Sequence, residues 1–270
     1  MSVGWDQTFA FDRAALSAVH RAVVREPGLS AAARREQLPY GKNKVDGYLA
    51  YLDRLGLFDR GPGGPTPLGA VVAEGDPGWQ DEGTWAVLQV QIACAPEATV
   101  WHEMTHTVLP AATAFTTAEA ERALLARPAV QAGSLDNAVG DLGRYVRALT
   151  EPDALGGLRL LAALSLPGGT RYLRQPAAAV PPLVLAYVLY DQRARAAPGA
   201  RSMSLDAVVG PGGAGRALHL HADPDGFADR VRPLKARDVM DFTQTAGLRD
   251  VGFLRPDADP LDFLRAYYDE

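Results

Sequence analysis

Residues 41–69 read GKNKVDGYLAYLDRLGLFDRGPGGPTPLG. Val45, Leu49, Leu52 and Leu55 recur at helical spacing and predict a helix from about Asn43 to Leu55, ended by Gly56. Leu57-Phe58 begins an extended segment. Gly61-Pro62-Gly63-Gly64-Pro65 turns the chain, and Thr66-Pro67-Leu68-Gly69 returns it as the second arm of a hairpin. Upstream, Asp12 reads as the N-cap of a helix carrying Ala15, Leu16, Val19, Val23 and Val24, stopped by Pro27-Gly28. Ser30 caps a second, short helix through Ala33 to Leu38, and Pro39-Tyr40-Gly41 makes a tight turn. Three helices followed by a hairpin with a Gly/Pro tip is the order of a winged helix-turn-helix. Its third helix would be the recognition helix. This unit occupies about residues 1–75.

Residues 76–175 read as a helical middle domain. Asp76-Pro77 turns the chain, and Thr84 to Cys94 is an apolar helix with Trp85, Leu88 and Ile92 on one face. Pro96 breaks it, and Glu97 to Leu109 forms another helix, stopped by Pro110. Thr116 and Glu119 have capping-box spacing at a helix start. Ser134 caps a further helix with Leu135, Val139, Leu142, Tyr145 and Val146 at helical spacing. Leu158 to Leu164 is short and apolar, Pro167-Gly168-Gly169 turns, and Thr170 to Leu173 returns. This order echoes the first unit as a second winged-like unit, without a strict sequence repeat.

Residues 176–270 read as a mixed α/β module. A helix follows Pro181-Pro182 to about Arg195, and Ser204 starts a short one. Gly210 to Gly215 is a glycine-rich turn, and Ala217 to His221 alternates like a strand. Asp223-Pro224 and Asp259-Pro260 start further helices, with a hairpin between them from Val239 to Thr243 and Arg249 to Phe253 around Ala246-Gly247. The fold class is therefore mainly α, of the α+β kind.

Composition narrows the function classes. The chain has 270 residues, 47% hydrophobic and 22% charged, which is ordinary globular usage and excludes a largely disordered chain. The longest apolar run, Leu183 to Tyr190, is far short of a membrane helix. Trp5 and Asp6 stand where a secretion signal needs a basic start and an apolar stretch. Cys94 is alone, so no internal disulfide or cysteine zinc cluster forms. These features predict a cytoplasmic protein. The net charge of −5 argues against nonspecific nucleic-acid binding. From Asp12 to Arg60, however, nine basic residues face six acidic ones.

Several segments together resemble the bacterial family called domain of unknown function 4007. They are Phe9-Ala10-Phe11-Asp12-Arg13, Gly41-Lys42-Asn43-Lys44-Val45 leading to Leu55-Gly56-Leu57, and Thr66-Pro67-Leu68-Gly69. They continue with Asp76-Pro77, Glu82-Gly83-Thr84-Trp85 and Ala98-Thr99-Val100-Trp101. The last are Thr245 to Val251 and the terminal Ala266-Tyr267-Tyr268. The ordered set, not any single motif, carries the resemblance, over nearly the whole chain. It departs at Trp79, where a bulky-acidic stretch is usual, and at the histidines after Trp101. Members of that family sit beside genes for sulfurtransferases and for DNA modification and phage defence. The resemblance implies a non-enzymatic DNA-binding accessory protein that positions partner enzymes.

Four constellations could carry chemistry. Lys42, Asn43 and Lys44 stand where a recognition helix enters the major groove and could read base edges or clamp phosphates. Arg34 and Arg35 could hold phosphates, and Tyr48 and Tyr51 would lie near the groove wall; the bland reading is a winged unit retired to protein contacts, its charges merely solvated. His102-Glu103-Met104-Thr105-His106 matches H-E-x-x-H. On a helix it could bind zinc, with Glu103 as base and a third ligand from Glu119, Glu121 or the His219-x-His221 pair. The alternative is an ordinary half-exposed helix. Gly210 to Arg216 is glycine-rich like a phosphate loop but lacks the following Lys-Ser/Thr, and so reads as a turn. Cys94, among Ile92, Ala93 and Ala95, reads as a buried, inert thiol.

The sequence thus predicts double-stranded DNA as partner, through Arg34, Arg35, Lys42, Asn43, Lys44 and Tyr48, together with proteins of a modification or defence complex. No catalytic residue, cofactor or metal is assigned. Zinc hydrolysis at His102 and His106 and a pure protein adaptor are the alternatives. A homodimer is left open, since paired half-sites imply one.

Overall fold

The computed structural model describes Gly4 and residues 9–61, 63–177, 180–220, 223–245 and 247–270. Among these residues the protein is a helical α+β fold with one two-stranded and two three-stranded antiparallel sheets. Three stretches of chain follow one another with related element orders.

In the first, Asp12 accepts the Ala15 N–H at 3.0 Å and starts α1 (Arg13–Arg25). Ser30 caps α2 (Ala31–Gln37), and α3 (Lys42–Arg54) follows Gly41. A short hairpin of β1 (Phe58–Asp59) and β2 (Gly64–Pro65) closes the set, as the spacing predicts. The return arm differs from expectation. The Thr66 hydroxyl accepts the Gly69 N–H, so Thr66-Pro67 starts α4 (Pro67–Gly75) instead of extending the strand. Pro67 at the first helical turn loses nothing, because that N–H has no intrahelical partner.

The second stretch begins with α5 (Glu82–Cys94), capped by Asp81, and α6 (Thr99–Glu103). The single helix expected from Glu97 to Leu109 is not found. After α6 the chain widens into a π turn at Met104–Val108, then tightens into a 3₁₀ turn at Leu109–Ala111 that includes Pro110. Strand β3 (Ala114–Thr116) follows. Next come α7 (Thr117–Leu125), with the Thr116/Glu119 capping box fully formed, the short α8 (Pro128–Gln131) and α9 (Leu135–Thr150). Strands β4 (Leu161–Leu166) and β5 (Gly169–Arg174) form a hairpin, and the sheet order is β3-β5-β4.

The third stretch has the same plan, which its sequence did not reveal. It runs α10 (Pro182–Ala196), β6 (Ser202–Ser204), α11 (Leu205–Val209), α12 (Ala214–Ala217), α13 (Pro224–Lys235), β7 (Met240–Thr245) and β8 (Leu248–Phe253). The sheet order is β6-β8-β7. The segment expected as a strand from Ala217 begins at the end of α12, and His221 lies outside the described residues. Its place in the sheet is taken by Ser202–Ser204, just before the Ser204 cap.

A closing helix, α14 (Pro260–Tyr268), ties the ends together. The Tyr268 hydroxyl is 2.8 Å from Thr84 Oγ1, and Tyr267 hydrogen-bonds Asp81. A Cβ on Gly75 would sit 2.1 Å from the Tyr268 ring, and one on Gly83 2.5 Å from Tyr267. Glycine at both positions lets this helix seat. The core is continuous through all three stretches. At its centre Trp101 packs edge-on to Tyr145 and touches Phe11. Burying such aromatics dominates core energetics.

Candidate functional site

The residues expected at DNA divide sharply once folded. Arg34 is 1% exposed. Its guanidinium donates to four backbone carbonyls: Leu29 at 3.1 Å, Ala22 at 3.1 Å, Glu26 at 2.8 Å and Gly63 at 3.0 Å. Those acceptors belong to the end of α1, the loop after it and the hairpin. Arg34 is therefore a staple joining three elements, and the phosphate role expected for it is corrected. Arginine suits the task because its planar fork carries five donors and holds its charge when buried. Arg35 forms a bidentate pair with Asp46, at 2.8 Å from Nε and 2.7 Å from Nη2, and clamps α2 to α3.

Tyr48 is 2% exposed and Tyr51 fully buried, so neither lines a groove wall. Tyr48 packs against Phe9 and Tyr40, and the Tyr51 hydroxyl donates to the Phe9 carbonyl. Burial, then the nearby Asp12 charge, pushes the Tyr48 phenol above its ordinary pKa. The seven residues Val45, Gly47, Tyr48, Leu49, Ala50, Tyr51 and Leu52 are all buried. Helix α3 thus has no long free face.

Only its first turn is open. Lys42 and Asn43 are exposed, and neither side chain has a hydrogen bond or ion pair among the described residues. Lys44 is half-buried. Its Nζ lies 4.9 Å from the Tyr40 ring centre and 5.4 Å from that of Tyr48, a cation–π arrangement that still leaves the charge unpaired by carboxylate. These three residues stand together at the start of α3, where unpaired backbone N–H groups also favour an anion.

The H-E-x-x-H segment is brought together as a packing node. His102 Nδ1–H and His106 Nε2–H both donate to the Ala93 carbonyl, at 3.1 and 3.0 Å. The free Nδ1 of His106 accepts the Gly212 N–H at 3.1 Å. Glu103, on α6, pairs with Arg127 at 2.9 Å. Both nitrogens of His106 are spent, and no group of three His, Cys, Asp or Glu gathers among the described residues. Among the described residues, His106 therefore has no ring nitrogen left for a metal. His106 is 2% exposed, and burial, then the neighbouring His102, drive its imidazole down to about 3.

The glycine-rich turn belongs to the same node. Arg216 donates to the His106 and Val209 carbonyls. A Cβ on Gly213 would meet the Val208 carbonyl at 2.1 Å, so the loop is folded inward on protein. Cys94 is half-buried beside Gly212, and burial pushes its thiol up to about 11, in line with an inert role. No helix among the described residues is long and apolar enough to cross a membrane.

No family profile and no curated protein matches this sequence. Solved structures do. The magnesium-ion-bound crystal structure of SspB superposes with a TM-score of 0.81 at 19% identity, covering 99% of this chain and 88% of that one. A second SspB crystal structure gives 0.77 at 21% identity with the same coverage. The chain therefore shares the fold of SspB over nearly its entire length.

Proposed function

We propose that the protein is a non-enzymatic, DNA-binding accessory component of a prokaryotic DNA-modification or phage-defence system, with winged-helix units as its architecture. The observation that carries the reading is the open first turn of α3. Lys42, Asn43 and Lys44 present two cations and an amide without carboxylate partners, in a protein whose other arginines are largely spent on internal contacts. The order of helices and hairpins in all three stretches supports it, as does the resemblance to the domain of unknown function 4007 family. Because α3 is buried beyond its first turn, the contact is a tip-on clamp of phosphates and nearby base edges, not a helix laid along the groove.

The test is a salt-series titration of short duplexes with wild type and with Lys42→Glu/Lys44→Glu. Each lost phosphate contact flattens the slope of log K against log salt by about 0.9, so the double variant flattens it by about 2. An unchanged affinity and slope sinks the assignment. The burial of α3 and Tyr48 favours one second reading, a protein adaptor. Failure of wild type to retard any duplex, with a partner co-purifying, would select it.

A further inference from the structure

Arg34 shows how this protein satisfies a buried guanidinium, with four carbonyl acceptors. Arg174, at the end of β5, breaks that pattern. Its backbone is held on both sides of the strand end: its N–H donates to the Thr113 carbonyl and the Gln175 N–H to the Leu160 carbonyl, each at 2.9 Å. The register puts its side chain on the face shared by Leu161, Tyr172 and the buried Phe115, as alternation along a strand requires. The residue is half-buried, yet its guanidinium has neither a hydrogen bond nor a carboxylate partner among the described residues. None of its nitrogens is among the described atoms sealed from solvent without a partner, so its donors face open space.

A second arginine comes from α12. Arg216 donates Nε to the Val209 carbonyl at 2.7 Å and Nη1 to the His106 carbonyl at 2.9 Å, which leaves Nη2 without a protein acceptor among the described residues. His106 lies in the π turn. Its neighbour Thr105 has Oγ1 3.1 Å from the Tyr145 hydroxyl, and Tyr145 is one of the two groups whose charge Arg174 feels. The other is Arg216. Both arginines therefore flank the same turn, one from the second stretch and one from the third. They are close enough to repel: burial, then the Arg216 charge, holds the Arg174 guanidinium below its ordinary pKa. The chain has 32 acidic side chains, and none pairs with either arginine among the described residues.

We infer that Arg174 and Arg216 form a binding site for a phosphate group where the second and third stretches meet. Two like charges gathered without a counter-charge cost stability, and an anion shared between them removes that cost. The planar fork of a guanidinium matches two oxygens of one phosphate. Arg174 offers its whole fork and Arg216 its Nη2. A phosphate suits the pair better than a single carboxylate, because its oxygens point in several directions and reach donors on two elements at once. The phosphodiester of a nucleic-acid backbone and a free phosphate present the same oxygens to this site. None of Lys42, Asn43 or Lys44 takes part, so the inference does not rest on the DNA-binding proposal.

The experiment is thermal unfolding of the full chain in inorganic phosphate, against sodium chloride at matched ionic strength, beside a salt-series duplex titration. In phosphate up to about 50 mM, wild type is expected to gain about 2 to 4 °C in Tm over chloride, by mass action at a millimolar site. Arg174→Gln is expected to lose that gain. Its Tm in chloride is expected to stay level or rise, since the change relieves the repulsion and strands no protein acceptor. Arg174→Lys should keep part of the gain, and Lys42→Glu/Lys44→Glu all of it. The duplex arm names the source. A salt slope flattened by about 0.9 in Arg174→Gln assigns a backbone phosphate. An unchanged slope, or no duplex binding at all, with the phosphate gain lost assigns a free phosphate. Three results overturn the inference: no phosphate gain in wild type together with an unchanged duplex slope in Arg174→Gln, a gain that survives Arg174→Gln, or a Tm of Arg174→Gln in chloride below that of wild type, which makes the residue structural.

Discussion

The first and second stretches share an order, helices followed by a hairpin, yet use it in opposite ways. In the first, the hairpin strands are two residues long, and Arg34 pins the turn between them through the Gly63 carbonyl. Helix α3 is enclosed on most of its length. In the second, the hairpin strands are six residues long, β3 adds a third strand, and the tip stands free. The first half of α9 is open as well, with Leu135 and Val139 exposed. Element order alone does not decide which surface a unit offers. What decides it here is hairpin length and whether a buried side chain staples the hairpin down.

The largest effect should come from removing that staple. Arg34→Ala removes four buried hydrogen bonds and empties the junction of three elements, and is expected to cost about 3 to 5 kcal/mol in urea unfolding. A loss below about 1 kcal/mol would mean that Arg34 behaves as a surface residue and the contrast between the stretches fails.

Next comes acid sensitivity, which each stretch owes to its own histidine. His20 on α1 is fully buried against Trp79 and is held down to about 4, mainly by burial. His106 is held down to about 3. An unfolded imidazole titrates near 6.5. As pH falls below that value the unfolded chain takes up protons first, so stability is lost on acidification. The loss due to His20 ends near pH 4, and that due to His106 continues to about 3. Thermal melts across this range should show His20→Asn flattening the upper part of the profile and His106→Asn the whole of it. A profile with an unchanged slope in both variants would refute the buried-neutral assignment.

Smaller changes sharpen the comparison from the surface. Arg35→Ala breaks a bidentate but partly solvated pair with Asp46, and should cost about 1 kcal/mol. Leu166→Ser on the free hairpin should stay within about 0.5 kcal/mol of wild type, as exposed substitutions do. Denaturation at low protein concentration checks both. A larger loss at Leu166 would mean that the tip is packed after all.

Much of the fold was legible in the chain. Asp12, Ser30, Thr116 with Glu119, Ser134, Ser204, Asp223 and Asp259 all cap the helices their spacing predicts. These are local effects: a side-chain oxygen satisfies an N–H two or three residues on, and sequence spacing is enough to see it. The hairpins at Gly168-Gly169 and before Leu248 were legible for the same reason. Arg34 and Arg35 were not separable, although they are neighbours. One is consumed by four carbonyls from α1, the loop after it and the hairpin, and the other by Asp46. Likewise, H-E-x-x-H has the right letters, but Ala93 and Gly212 decide what the imidazoles do.

The sequence by itself determined where most helices begin, where the chain turns, and that cations gather near the start of α3. Short-range hydrogen bonding and φ/ψ preference act within a few residues, so they leave a readable trace. Only the tertiary structure decided that the third stretch repeats the plan of the second, that Tyr48 and Arg34 are interior, and that one sheet presents leucines outward. Strand pairing and burial join residues far apart in the chain, and side-chain alternation has no inside or outside until a partner layer covers one face.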